Sequence, residues 1–136
     1  RGAEAVTDSP PTLPEINNQT LEIVAGSVRL SEHTKAPCIA IFCHTMEIAR
    51  QIAGFHSGTH VIAACFDEQI YRQVALFYGI IPVRLPRTNS IDEAITRVLD
   101  EIQARDLATA GNRIVFMYSQ PFGTRLHNTI RLVQMP

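Results

Sequence analysis

Ile39-Ala40-Ile41-Phe42 is a short, unbroken apolar run, and Val61-Ile62-Ala63-Ala64-Cys65-Phe66 repeats the pattern downstream. Continuous runs of this kind mark strands covered on both faces. Between them, Met46, Ala49, Ile52 and Ala53 recur at helical spacing, which predicts a helix over Thr45–Phe55. Gly54, Ser57 and Gly58 then break it. The same alternation continues: Asp67 is the expected N-cap of a helix carrying Ile70, Val74 and Phe77 and stopping at Gly79. Ile80 to Leu85 reads as a third strand, which Pro82 confines to an edge or an end. Asn89 or Ser90 opens a longer helix with Ile91, Ala94, Ile95, Val98, Leu99 and Ile102 as its apolar stripe. Strands at Ile114–Tyr118 and at about Asn128–Met135 complete the chain.

Upstream, Leu21, Val24 and Val28 recur helically behind Asn17 or Asn18 as caps. Residues 1–17, with Pro10, Pro11 and Pro14, read as an arm or linker, and residues 18–136 as one domain. Strands alternating with helices predict a parallel sheet between helical layers. The last connection, Ser119 to Leu126, is far shorter than the dozen or more residues of a parallel crossover. The predicted fold is therefore a three-layer α/β/α sandwich with a mixed five-stranded sheet, its last strand antiparallel.

At 136 residues the chain can bury a core without disulfide or metal staples. Twelve Lys and Arg against 13 Asp and Glu leave a net charge of −1, which gives no footprint for nucleic acid or an anionic membrane. The longest apolar run, Ala36 to Cys43, is far below the roughly 18 residues of a membrane span. The start at Arg1, with no apolar leader behind it, suggests a piece of a longer cytoplasmic protein or a trimmed product. Cys38, Cys43 and Cys65 lack metal or redox spacing and read as reduced, partly buried thiols.

In open α/β sheets, ligands bind beyond the carboxyl ends of the strands. Those ends are Cys43-His44-Thr45-Met46-Glu47 and Ser119 to Arg125. The first offers a hydroxyl and an imidazole at a helix start, but no glycine, and Glu47 would repel an anion. Thr45 reads more simply as an N-cap. A Cys43–His44 nucleophile is disfavoured, because adjacent strand residues point to opposite faces. His56 and His60 flank a glycine loop and do not suit a metal. Phosphate-loop and dinucleotide glycine motifs are absent.

From Ala36 to Pro136 the chain resembles the carboxyl-terminal domain of pyruvate kinase. The strings that carry the resemblance are Ile39–Phe42 followed by Ile48-Ala49-Arg50, then Val61–Ala64, and Asp67–Leu76 leading into Tyr78-Gly79-Ile80-Ile81-Pro82. Gly111–Val115 and Asn128–Val133 follow in the family's order. The resemblance implies a regulatory and oligomerisation domain, pairing as a dimer or tetramer. Phosphotransfer from phosphoenolpyruvate to ADP, with its Mg and K ions, would belong to a separate barrel domain. No cofactor and no catalytic residue is expected in these residues.

The family's sugar-phosphate effector, fructose 1,6-bisphosphate, would fall on Cys43, His44 and Thr45 and on Gly123, Thr124 and Arg125. Of the phosphate-loop hydroxyls only Thr45 remains; Met46 replaces the glycine, and Arg125 replaces the glycine nearer the last strand. The implied effector loop is degenerate. Two other readings stand beside this one: a free-standing domain of the same fold binding a small phosphorylated ligand through Thr45, Thr124 and Arg125, and a purely structural pairing domain.

Overall fold

The computed structural model describes residues 13–53, 59–124 and 127–136, with side chains from Gln19 onward. The elements in chain order are α1 (Leu13–Thr34), β1 (Cys38–Cys43), α2 (Glu47–Ile52), β2 (His60–Cys65), α3 (Glu68–Val74), β3 (Ile80–Arg84), α4 (Ile91–Ala104), β4 (Arg113–Tyr118) and β5 (Thr129–Gln134). They form one five-stranded sheet in the order β3-β2-β1-β4-β5. β1 pairs in parallel with β2 and β4, and β2 with β3, while β5 runs antiparallel to β4. The expected mixed sheet and antiparallel last strand are both present.

Strand alternation divides the core in two. Cys38, Ala40, Phe42, Ile62, Ala64, Ile114 and Phe116 face α4, which covers them with Ala94, Ile95, Val98 and Ile102. Ile39, Ile41, Cys43, Val61, Ala63, Cys65 and Met117 face the other way, against α1, α2 and α3. Every residue of β1 is buried, as a central strand between two helical layers requires. Pro82 lies in β3, an edge strand that pairs with β2 alone among the described residues, so its missing N–H interrupts no second ladder there.

Three capping expectations meet the structure differently. Asp67 caps α3, accepting from the N–H groups of Gln69 and Ile70, and Ser90 caps α4, accepting from Glu93 N–H. Thr45 does not cap α2: the helix starts two residues later than expected, the N-cap is Met46, and no side chain closes it. Its expected end at Phe55 lies outside the described residues. Gly79 takes φ +85° in the turn before β3, a left-handed conformation open to glycine at no steric cost. α1 begins at Leu13, so the last five residues of the expected 1–17 arm are helical. Pro14 falls in the first turn, where an N–H has no intrahelical partner to lose.

The three cysteines are fully buried, where partial burial was expected. No helix among the described residues is long and apolar enough to cross a membrane.

Candidate ligand site at the strand ends

The sheet order reverses at β1: the chain moves outward through β2 and β3, then returns to place β4 on the other side. At such a switch point an open sheet of this kind has its crevice, here between the carboxyl ends of β1 and β4 and bordered by residues 44–46 and 119–124. Of the residues expected there, His44, Thr45, Gly123 and Thr124 lie in these loops. Arg125 lies outside the described residues. Cys43 is at the same level but on the opposite face of the sheet, in the α1–α2–α3 core.

The crevice is lined by rings. His44 stacks on Phe66 with centroids 5.1 Å apart and planes 10° apart, and Phe122 stands edge-on to it at 5.2 Å. Phe122 also meets Phe42 edge-on at 5.4 Å, and Phe42 stacks with Phe66 and Phe116 at 6.1 and 5.9 Å. Offset and edge-on rings at these separations attract one another beyond their area burial. His44 Nε2 is buried with no hydrogen-bond partner among the described residues. Burial, assisted by the charge of Arg87, holds the His44 pKa below its ordinary value.

His127, almost wholly buried, approaches the site from the segment before β5, its Nε2 2.7 Å from the Phe42 carbonyl oxygen. That bond requires the proton on Nε2, because a carbonyl only accepts. Burial lowers the His127 pKa and the nearby His44 lowers it further, against the Phe42 bond, which favours the charged form. Two neutral imidazoles at neutral pH bring no cation to the crevice.

The loop itself is closed on its own atoms. Asn128 accepts from Gln120 N–H and donates to the Gln120 carbonyl, both at 2.9 Å, and so clamps the loop base. Thr124 donates its hydroxyl to the Pro121 carbonyl at 3.0 Å. Gly123 takes φ +95°, while a Cβ there would meet nothing within 4 Å; backbone conformation, not space, selects glycine. Glu47, in the first turn of α2, accepts from Gln51 Nε2 at 3.2 Å. Among the described residues no group of three or more His, Cys, Asp or Glu could hold a metal ion, and His56 lies outside them.

The chain matches the family profile "Pyruvate kinase, alpha/beta domain" over residues 22–133. It belongs to that family. A pyruvate kinase of Lactococcus lactis subsp. lactis is 27% identical over 112 residues, covering 82% of this chain and 22% of the relative. One of Agrobacterium vitis is 26% identical over 101 residues, covering 74% of this chain and 21% of the relative. Two crystal structures of Cryptosporidium parvum pyruvate kinase share the fold, at TM-scores of 0.78 and 0.76. Each is 16% identical and covers 98% of this chain, which spans about a quarter of theirs.

Proposed function

We propose that this alpha/beta domain is the regulatory and pairing domain of a cytoplasmic pyruvate kinase, with an effector pocket no longer suited to a sugar bisphosphate. Phosphotransfer from phosphoenolpyruvate to ADP would be the work of a barrel domain outside these residues, which would also hold Mg and K. The observation that carries the reading is the filled crevice: His44, Phe66 and Phe122 pack on one another where the family resemblance would seat a phosphate. Glu47, at the start of the helix that follows this loop, adds a negative charge. Two like charges about 4 Å apart repel by ~4 kcal/mol at an effective dielectric of 20 before screening. Titration calorimetry with fructose 1,6-bisphosphate should show no saturable binding. A micromolar dissociation constant abolished by Arg125→Ala would overturn the reading.

Pairing would use β5. It is an edge strand whose outer N–H and C=O groups face away from β4, with Ile130, Leu132 and Val133 half-buried along it. Arg131, its one charged residue, bonds Asp92 of α4 at 3.3 Å and guards the edge weakly. A two-fold contact of β5 with a second copy would satisfy the outer ladder. Sedimentation of the chain should show a dimer or larger that Leu132→Pro shifts to monomer by removing a ladder donor. A wild-type chain that remains monomeric at ~100 μM, above the micromolar range of weak specific contacts, would remove the pairing role from this domain.

A further inference from the structure

Cys43 and Cys65 are the last residues of β1 and β2 and are direct partners in the parallel register. Both side chains lie buried on the α1–α2–α3 face, away from the aromatic crevice. Neighbouring strands run about 4.7–4.9 Å apart, within the roughly 4.4–6.8 Å between Cα atoms that a disulfide spans. At strand ends the ladder can adjust to draw the two Cβ atoms together.

The two thiols differ. The Cys65 thiol donates to the Ala63 carbonyl oxygen at 3.6 Å, and Cys43 stands beside it in the register. Interaction with Cys65 and burial push the Cys43 thiol well up, whereas interaction with Cys43 pulls Cys65 down, against burial, with Arg84 assisting and Asp67 opposing. Arg84 is the register partner of Cys65 on β3, so Cys43, Cys65 and Arg84 stand in one row across three strands. Its guanidinium is held by the Phe66 and Leu85 carbonyls and pairs with Glu68 at 3.4 Å. The cover over this face includes α2, six residues long and without a side-chain cap, which makes its opening the least costly route for a small oxidant.

We propose that Cys43 and Cys65 are a dithiol modification site that hydrogen peroxide converts to an intrachain disulfide, with Cys65 as nucleophile and Cys43 as resolving thiol. Cys65 thiolate attacks one peroxide oxygen and the O–O bond breaks, giving Cys65 sulfenic acid and a hydroxide that takes the thiol proton as water. Cys43 sulfur then attacks the sulfenic sulfur, the S–O bond breaks, and a second water leaves. In all, two thiols are oxidised by two electrons and one peroxide is reduced to two waters.

The test is graded hydrogen peroxide on the purified chain, followed by alkylation in denaturant and tryptic digestion without reduction. Free thiols should fall from three to one per chain, with the intact mass lower by two hydrogens. Peptide 36–50 should be joined to peptide 51–72, and fragmentation should put the bond at Cys43. Cys38→Ser should leave the link in place, and Cys43→Ser should leave Cys65 as a sulfenic acid that dimedone traps. Three persisting thiols, a Cys38–Cys65 link, or a link between chains would each overturn the proposal.

Discussion

Among the described residues one face of the sheet carries a single helix, α4, and the other carries α1, α2 and α3, and the side chains differ accordingly. Under α4 the strand ends carry Phe42, Phe66 and Phe116, and Phe122 from the loop after β4 packs against them past the helix. Under the three helices the corresponding positions are Cys43 and Cys65, with Ala63 behind them. On that side α1 comes so close that a Cβ on Gly26 would stand 3.4 Å from Ile130 Cδ1. A face with one helix must fill its remaining volume with large rings and a loop. At the carboxyl ends of β1 and β2, the face with three helices leaves room only for the smaller Cys43 and Cys65, since interiors pack to near-crystalline density.

The sharpest way to break this contrast is truncation. Phe42→Ala should lower stability by about 3–5 kcal/mol, while Ile41→Val, its neighbour on the other face, should lose only about 0.5–1.5 kcal/mol. Urea unfolding of both variants measures the pair, and comparable losses would erase the asymmetry between the faces.

A second difference is electrostatic, because the ring-lined face also holds His44 and His127. Both have folded pKa values depressed below the ordinary value near 6.5. The unfolded chain therefore binds protons that the folded chain refuses, so stability is complete above about pH 6.5 and declines as pH falls toward the folded values. The urea midpoint should drop between about pH 7.5 and about pH 5.5, and His127→Gln, which keeps a donor without the ionisation, should flatten that slope. An unchanged slope in the variant would take His127 out of the effect.

The smallest expected effect concerns the helices themselves. Ser90→Ala removes the hydroxyl that accepts from Glu93 N–H at 3.1 Å and should cost about 1 kcal/mol. Because α4 is the one helix over its face among the described residues, that loss should appear in global unfolding. Hydrogen exchange should show the protection of β1 and β4 amides falling with it. A loss confined to the first turn of α4 would mean that this face does not depend on its single helix.

Much of the architecture was legible because it rests on local signals. Unbroken apolar runs gave the buried strands, Asp67 and Ser90 gave two helix starts, and the short connection before β5 fixed its direction. α2 was misjudged because Thr45 has the chemistry of a cap while the chain turns one residue later, at Met46. α1 was begun too late because Pro14 breaks a helix interior but not its first turn.

The crevice was only half visible. The segments after β1 and β4 could be located from the strand runs, and the two-residue spacing of Phe42 and His44 already put them on one face. Phe66, Phe122 and His127 come from other parts of the chain, and only the register of three strands and the course of one loop bring them to His44. The Cys43–Cys65 pairing likewise depends on register, which carries no short-range signal.

The strand order has a consequence for synthesis. β1 leaves the ribosome first among the strands and finds β2 and β3 soon afterwards, but its other edge waits for β4, whose residues are made only after α4. While the residues between β1 and β4 are made, a strand apolar on both faces stands with one row of backbone groups unpaired. An open apolar edge of this kind recruits other chains. The nascent domain is therefore exposed to association along the seam that becomes its centre, and that hazard ends only when the penultimate strand arrives.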